Sequence, residues 1–380
     1  MNQAWTRRWP IVLGMLAALI LATSGCAGGV RASSWTGLTV VGDTLYAADL
    51  QQARAMNADT GETIWTFPRN TEETNQGLFY ATPTVSDGGQ VFFASQLTTG
   101  GFISQRRSIV WALDAETGNE LWRFEGATDM YVEGGALGGD LFVIGNGDGN
   151  VYALDREDGT LRWTFETGHQ VWATPLIVSD TVYVGSMDRT LYALNLESGE
   201  VKWEFSGDGA FGAQPALDDG TLYIGGFDDA IYAVDSETGQ ERWQFRGEDW
   251  FWGSPAVSQG TVYAVDVKGR VYALEGENGE QIWRKDLVTD QNQPVPVRAG
   301  PALDGGGRLF VSAESGTLYA LDADDGFVVW SVPAEGRGMS EPVVRDALVY
   351  QSLVLGSARL RALQVEEGRE AWSFPAPQEE

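Results

Sequence analysis

The sequence predicts an all-β protein, an eight-bladed β-propeller with four-stranded antiparallel blades. A pattern of Ala, Gly six residues later and Trp ten residues later occurs eight times in the 380 residues. Successive Trp residues of the pattern lie 57, 41, 40, 40, 40, 47 and 42 residues apart. Self-similarity at a period near 40 residues is typical of repeat arrays and propellers. The eight residues are Trp65, Trp122, Trp163, Trp203, Trp243, Trp283, Trp330 and Trp372.

One copy of the repeat shows how four strands fill each unit. Residues 254–258 form a short apolar stretch, residues 261–265 and 270–274 are rich in β-branched and aromatic side chains, and residues 280–283 end in the Trp. Turns that contain Gly and Asn separate these runs, which is typical of β-hairpins. We name the strands A to D in chain order. Four short antiparallel strands, repeated eight times, favour propeller blades over a linear stack.

The Trp on strand D is expected to perform the same packing role in every unit. We expect each indole to lie between neighbouring blades, against the small Ala of the pattern. Truncation of a buried aromatic residue costs about 3–5 kcal/mol. The substitution Trp203→Ala is therefore expected to lower the stability of the protein by that amount.

Residues 192–203, which read Tyr-Ala-Leu-Asn-Leu-Glu-Ser-Gly-Glu-Val-Lys-Trp, resemble the tryptophan-docking motif of the PQQ-like (pyrroloquinoline-quinone-type) propeller repeat. The resemblance covers residues 36–374 and is specific to the fold. It does not choose among functions, because the superfamily includes quinoprotein alcohol dehydrogenases, outer-membrane assembly lipoproteins of the BamB family and sensor domains. The sequence departs from the repeat at Arg54 and Arg361, which replace the usual aromatic residue before Ala.

The amino terminus predicts export and a lipid anchor. Residues 1–25 carry two arginines, no acid and an apolar run of twelve residues, which fits a signal peptide better than a membrane span. The small residues before Cys26 resemble the bacterial lipobox, and this resemblance implies that Cys26 is lipidated; the alternative is an ordinary cleaved signal. Because Ala27 replaces the Asp of an inner-membrane retention signal, we expect the outer membrane in a diderm cell and otherwise the outer face of the plasma membrane.

Two short segments flank the predicted propeller. Residues 26–35 are expected to form a tether between the anchor and the first blade. Residues 375–380 are expected to form a disordered tail, since chain ends without buried partners are poorly ordered.

The charge of the chain excludes some partners. The 25 basic and 53 acidic residues give a net charge of −28, which repels nucleic acid and anionic lipid headgroups. The propeller geometry places the C–D turns on one face, where acids would form a ring that serves solvation or, alternatively, meets a cation-rich partner or a divalent ion. These acids are Asp59, Glu116, Glu157, Asp158, Glu197, Glu237, Glu277, Asp324, Asp325, Glu366 and Glu367.

The opposite face carries the irregular features of the sequence. One insertion lies in a B–C hairpin around residues 95–108, and another lies in a D–A loop around residues 286–297. Loops that vary on a rigid scaffold are common binding elements. Trp, Tyr and Arg are favoured anchors of interfaces, although aromatic residues here are also expected to fill the rim of the central channel. The candidate partner face comprises Arg106, Arg107, Trp172, Trp250, Trp252, Arg298 and Arg337.

Searches of the sequence for catalytic or metal-binding patterns give mainly negative results. Residues 145–150 resemble part of a calcium loop, but they align with hairpin turns of other repeats and lack the terminal Glu of an EF-hand. His169 is the only histidine, so a histidine cluster for zinc is excluded. The quinoprotein dehydrogenases carry an adjacent cysteine pair, whereas Cys26 is the only cysteine here. We therefore expect no catalytic residue, cofactor or metal.

These observations predict a non-catalytic, extracytoplasmic lipoprotein that acts as a protein-binding scaffold. We expect a monomer that is held at the membrane by Cys26 and binds a protein partner. The resemblance to the BamB family implies that this partner belongs to the β-barrel assembly machinery. The alternative is a cell-surface propeller that binds or senses another protein or ligand. A quinoprotein dehydrogenase is the third and least supported hypothesis.

Overall fold

The computed structural model describes residues 37–49, 51–69, 77–99, 105–289 and 291–375. The predicted signal peptide, Cys26, the predicted tether and residues 376–380 lie outside this part. Within it, no helix is long and apolar enough to span a membrane.

Eight four-stranded antiparallel sheets follow one another along the chain, which confirms the predicted eight-bladed propeller. Every sheet is made of four consecutive strands, which pair in the order A, B, C and D.

The first four blades are formed by strands β1 to β16. Blade 1 comprises β1 (Leu38–Val41), β2 (Thr44–Asp49), β3 (Gln52–Asn57) and β4 (Thr63–Phe67), and blade 2 comprises β5 (Leu78–Val85), β6 (Gln90–Thr99), β7 (Gln105–Asp114) and β8 (Glu120–Phe124). Blade 3 comprises β9 (Ala136–Gly138), β10 (Leu141–Gly145), β11 (Asn150–Asp155) and β12 (Leu161–Glu166), and blade 4 comprises β13 (Leu176–Val178), β14 (Thr181–Gly185), β15 (Thr190–Asn195) and β16 (Val201–Ser206).

The last four blades are formed by strands β17 to β32. Blade 5 comprises β17 (Ala216–Asp218), β18 (Thr221–Gly225), β19 (Ala230–Asp235) and β20 (Glu241–Arg246), and blade 6 comprises β21 (Ala256–Ser258), β22 (Thr261–Val265), β23 (Arg270–Glu275) and β24 (Gln281–Asp286). Blade 7 comprises β25 (Ala302–Leu303), β26 (Arg308–Ser312), β27 (Leu318–Asp322) and β28 (Val328–Val332), and blade 8 comprises β29 (Val343–Arg345), β30 (Leu348–Ser352), β31 (Leu360–Gln364) and β32 (Glu370–Phe374).

The motif tryptophans join each blade to the next. The Trp163 indole Nε1 of blade 3 donates a hydrogen bond to the Leu196 carbonyl oxygen of blade 4 at 2.8 Å. The ring also lies over the C–D turn of blade 4, where a Cβ added to Gly199 would approach it to 2.7 Å. The Ala of the motif, Ala153, is paired with Trp163 inside its own blade. The Ala and the Gly of one copy therefore serve two different tryptophans.

The same bond is repeated around the ring. In blade order, the eight indole donors reach the carbonyl oxygens of Ala115, Arg156, Leu196, Ser236, Gly276, Ala323, Val365 and Ala58.

The chain termini close the ring without exchanging strands. Blade 1 and blade 8 each contain four strands from their own stretch of sequence. Trp372 Nε1 donates to the Ala58 carbonyl oxygen at 2.8 Å. Asp49, which is 2% exposed, pairs with Arg54 Nε at 2.6 Å and with Arg359 at 2.5 Å, and so links both terminal blades. No strand from one end of the chain completes the sheet of the other terminal blade.

The propeller has two unlike faces. The turn face carries the A–B and C–D turns, which are joined by bonds such as Arg156 N–H to the Asp140 carbonyl oxygen at 2.9 Å. The loop face carries the B–C turns and D–A loops, joined by bonds such as Met187 N–H to the Gln170 carbonyl oxygen at 2.9 Å. All eleven acids predicted to form a ring on the turn face are exposed.

The two insertions take different forms. The first extends a hairpin, because β6 and β7 pair continuously from Gln90 with Asp114 to Thr99 with Gln105. The second packs into the core, since Leu287, Val295 and Val297 are buried between blades 6 and 7. The second insertion is therefore anchored to the scaffold by these three side chains, while most of its other described residues are exposed.

Candidate functional site: the loop face and the channel mouth

Three of the proposed partner-face residues occupy one position of the repeat. Trp172, Trp252 and Arg298 each lie four residues before the first residue of a strand A, in blades 4, 6 and 7. Gly212 and Met339 hold this position in blades 5 and 8. Because the strand A of each blade is the innermost one, these residues surround the mouth of the central channel.

An aromatic stack fills the gap that Gly212 leaves in this ring. A Cβ at Gly212 would approach the Phe227 ring to 2.9 Å, so Phe227 lies where a side chain would otherwise stand. The Phe227 ring stacks on Trp252 at 5.0 Å between centroids and on Trp250 at 5.7 Å. Trp172 contacts Trp252 at 6.1 Å. Trp250 remains 47% exposed, and it presents this stack to the solvent.

Two positively charged residues, Arg298 and Arg337, lie beside the aromatic stack. The Arg298 guanidinium lies over the Trp252 ring at 5.2 Å, a cation–π geometry. Arg298 and Arg337 both form salt bridges with the Glu314 carboxylate. Partial burial tends to raise the pKa of Glu314, but the hydrogen bonds from the two arginines outweigh it and hold that pKa below its usual range. We define the aromatic–arginine cluster as Trp172, Phe227, Trp250, Trp252, Arg298, Glu314 and Arg337.

The structure thus brings together five of the seven residues proposed from the sequence. Arg107 pairs instead with Glu125 of its own blade, and the side chain of Arg106 lies outside the described part. Sequence reasoning missed Phe227 and Glu314, which occupy B–C turns. The only signal in the sequence for Phe227 and Glu314 was that a large apolar residue and an acid stand in B–C turns of the loop face, which also carries Trp172, Trp250 and Trp252.

The channel contains a cavity of about 410 Å³. The cavity lining combines apolar side chains with hydroxyl, amide and carboxyl groups. Several polar members share one repeat position, the residue just before the strand-A proline, and they are Thr82, Thr174, Gln214, Ser254 and Glu341. Trp252 and Arg298 line the same cavity, so the cavity and the aromatic–arginine cluster are continuous.

Two carboxyl groups enter this cavity from different blades. Glu341 Oε1 accepts a hydrogen bond from the Ser254 backbone N–H at 3.1 Å. Glu133 accepts no hydrogen bond from any residue in the described part of the chain. Burial among protein atoms, together with the nearby Glu341 charge, raises the pKa of Glu133 to about 8. Glu341 is exposed to the channel, but the surrounding protein atoms still raise its pKa, although its hydrogen bonds to Ser254 and Gly300 oppose this effect.

The residues that resemble part of a calcium loop form an ordinary hairpin turn. Asp148 Oδ1 accepts the Asn150 N–H at 3.1 Å, and Oδ2 accepts the Tyr152 hydroxyl at 2.8 Å. Asp188 and Tyr192 repeat this bond in blade 4, also at 2.8 Å. The aspartate oxygens are therefore used to hold the turn to strand C.

Comparison with known protein families identifies the family of this chain. The family model described as outer membrane protein assembly factor BamB matches residues 106–210, 205–298 and 277–380, which is most of the sequence. The chain belongs to this family.

Relatives within the BamB family match only short segments. BamB of Shewanella oneidensis is 43% identical over 67 residues, and BamB of Yersinia pestis is 32% identical over 76 residues. These segments are 18% and 20% of this chain. The chain spans only 16% and 19% of the length of these relatives.

Solved structures share the fold at lower identity. BamB from Moraxella catarrhalis superposes with a TM-score of 0.70 at 18% identity, covering 86% of this chain and 95% of that one. The computationally designed Ika8 protein gives 0.70 at 15% identity, with 87% and 96% covered. A quinohemoprotein alcohol dehydrogenase from Pseudomonas putida gives 0.61 at 16% identity, with 78% and 66% covered. At these identities the likeness concerns the fold alone.

The BamB family match begins at residue 106, so blade 1 lies outside the matched residues. Blade 1 nevertheless has the same docking geometry. Trp65 Nε1 donates to the Ala115 carbonyl oxygen of blade 2 at 2.9 Å, and blade 1 receives Trp372 in turn. The repeat therefore continues beyond the matched segment.

Proposed function

We propose that this protein is a non-catalytic, extracytoplasmic lipoprotein that binds a protein partner through its loop face. In this proposal Cys26 carries the lipid, and the rigid ring presents the aromatic–arginine cluster to the partner. Membership of the BamB family supports a role in outer-membrane β-barrel assembly in a cell with two membranes. In a cell with one membrane, the same propeller would act on the outer face of the plasma membrane.

The observation that carries the proposal is the contrast between the two faces. The turn face exposes a ring of acids in a chain of net charge −28. The loop face exposes Trp250 above stacked aromatics, with Arg298 and Arg337 sharing Glu314. Aromatic residues and arginines that cluster in one place are the usual anchors of protein interfaces. Held by a packed scaffold, they need little ordering on binding.

The test is photocrosslinking in intact cells. A photoreactive amino acid would replace Trp250 on the loop face and, in a matched chain, Phe327, which is 66% exposed on the turn face. Membranes would be solubilised, and crosslinked products identified by mass spectrometry. We expect a defined adduct from position 250 and none of that size from position 327. We also expect Trp250→Ala combined with Arg337→Ala to abolish the partner's recovery, with Phe327→Ala as the control.

The identity of the adduct decides between the hypotheses. A β-barrel assembly protein supports the assembly role, and an unrelated surface protein supports the alternative of a cell-surface propeller that binds another protein. Equal adducts from both positions would contradict a loop-face partner. The enzymatic hypothesis is tested separately, by incubating the protein with quinone and measuring alcohol-dependent dye reduction.

A further inference from the structure

We propose that the central cavity binds an organic ammonium group, with Glu133 and Glu341 as its counter-ions. Trp252 and Met339 at the channel mouth would contact the carbon chain of this ligand. The proposal adds a ligand site to the protein and does not depend on the scaffold role.

The size and lining of the cavity suit a small organic molecule. Its volume of about 410 Å³ lies within the range of ligand pockets, roughly 300–1,000 Å³. The wall has an apolar part, formed by Leu38, Val85, Met339 and Val343. Hydroxyl and amide groups lie among these side chains. Such a mixture of apolar surface and a few polar groups is typical of sites that bind carbon-bearing ligands.

The two glutamates of the cavity have no unengaged basic side chain beside them among the described lining residues. Arg298 is the one basic residue among the described lining residues, and its guanidinium is engaged with Glu314 and the Trp252 ring. Glu133 has no hydrogen-bond donor from the described residues. Glu133 is only half-buried and Glu341 is exposed to the channel, but two carboxylates in one cavity repel each other when both are ionised. An ammonium group between Glu133 and Glu341 would supply both the missing charge and up to three N–H donors.

An organic cation fits this site better than a divalent metal ion. Calcium prefers about six to eight oxygen ligands. Here two carboxyl groups arrive from blades 3 and 8, and one oxygen of Glu341 already accepts a backbone N–H. Among the described residues, no group of three or more His, Cys, Asp or Glu is placed to hold a metal. The strongly negative protein would also attract cations toward the channel.

Calorimetric titration of the purified full chain tests the site. The probe is n-hexylammonium chloride at about pH 9, where Glu133 is largely ionised and the amine still largely protonated. Hexan-1-ol serves as the neutral match. We expect saturable single-site binding of the amine and none of the alcohol. Glu133→Gln and Glu341→Gln should each weaken binding by about tenfold or more. Glu204→Gln, which removes one exposed charge from strand D, should bind like the parent.

Two further arms complete the test. A short peptide with one central lysine, added in competition, shows whether a lysine side chain can enter the channel or only a free amine. Calcium chloride is the inorganic comparison. Equal amine binding by Glu133→Gln and Glu204→Gln would overturn the proposal, because it would mean general attraction to an acidic surface. Binding of calcium with no uptake of the amine would also overturn it. Neither outcome bears on crosslinks formed at Trp250.

Discussion

Gly199 illustrates how one residue meets two structural demands. It adopts a φ of +71° at the C–D turn of blade 4, and its Cα faces the Trp163 ring of blade 3. Any side chain would be strained at this φ, and it would also displace the indole. Gly260, in the A–B turn of blade 6, has a similar φ of +76° but no atom within 4 Å of an added Cβ. A comparison of substitutions at these two glycines therefore distinguishes the cost of backbone strain from the cost of disturbed packing between blades.

We predict that Gly199→Ala destabilises the protein more than Gly260→Ala does. Both variants carry the left-handed strain, which costs about 1–2 kcal/mol. Only Gly199→Ala also forces a methyl group against an indole, an overpacking that costs about 1–3 kcal/mol more. Urea unfolding followed by tryptophan fluorescence measures the difference. Equal losses in the two variants would show that Trp163 moves aside without cost.

Arg361 is a buried cation in a position where most repeats place an aromatic residue. It is 2% exposed. Its Nε donates to Gln351 Oε1 at 2.8 Å, and its terminal nitrogens donate to the carbonyl oxygens of Val332, Pro333 and Gly316 at 2.9–3.2 Å. Burial lowers the pKa of the guanidinium below its usual range. The departure from the repeat thus provides a hydrogen-bonded link between blades 7 and 8.

We predict that Arg361→Ala lowers the unfolding free energy by about 3 kcal/mol or more, because it leaves a void and several buried acceptors without donors. Arg361→Lys should recover little of this loss, since a lysine cannot reproduce the planar set of donors. Arg162, an exposed partner of Asp155, provides the control. Its replacement by Ala should cost less than about 1 kcal/mol. A loss at Arg361 no larger than at Arg162 would contradict the structural role.

Strand D acts as the connector between neighbouring blades. The Ser236 carbonyl oxygen of blade 5 accepts two hydrogen bonds from blade 4, one from Trp203 Nε1 at 3.1 Å and one from the Tyr183 hydroxyl at 3.0 Å. Gly276 is used in the same way by Trp243 and Tyr223 of blade 5. The Trp203 indole therefore contributes both apolar contact and a hydrogen bond to Ser236. The Tyr183 hydroxyl bonds to the same carbonyl oxygen and can partly replace that hydrogen bond.

We predict that Trp203→Ala costs about 3–5 kcal/mol, whereas Trp203→Phe costs about 1–2 kcal/mol. Phenylalanine retains much of the apolar contact, and Tyr183 continues to satisfy the Ser236 carbonyl. Thermal and urea unfolding of both variants would measure the two losses. A melting shift of less than a couple of degrees for Trp203→Ala would show that the indole contributes little to blade docking.

The strands and blades were predictable because their determinants lie close together in sequence. Each turn glycine, strand run and Trp recurs within one period of about 40 residues. The sequence predicted an indole between neighbouring blades and against the Ala, but it did not reveal the glycine of the following blade that each ring contacts. The aromatic–arginine cluster was predicted only in part for a similar reason. Phe227 enters it through the absence of a side chain at Gly212, a contact between different turns that no local pattern reveals.

At the scale of the whole molecule, ring closure creates the channel and its chemistry. Glu133 belongs to blade 3 and Glu341 to blade 8, and neither follows a motif that marks it in the sequence. They meet only because eight blades bring their innermost segments around one axis. Closure at Trp372 and Asp49 therefore fixes the geometry of the cavity as well as the stability of the ring.

The channel should make the stability of the whole propeller depend on pH. The pKa of Glu133 rises from 4.5 to about 8 in the folded protein, where Glu341 and Arg298 line the same cavity. Between these values the folded protein keeps a proton that the unfolded chain releases. Its stability therefore falls as pH rises through this window and levels off above about 8. The pKa of Glu341 is also raised, so that group acts in the same direction.

We predict that Glu133→Gln removes its part of this loss. Relative to the parent, the variant should gain stability progressively between about pH 5 and 8, reaching at least about 1 kcal/mol at the upper end, the equivalent of less than one pKa unit. The two proteins should converge near pH 4, where Glu133 is protonated in both states. Urea unfolding at a series of pH values measures the difference, and Glu204→Gln controls for the loss of one exposed charge. A stability difference that stays constant across the series would mean that Glu133 ionises freely in the channel, and that its carboxylate is hydrated rather than awaiting a cation.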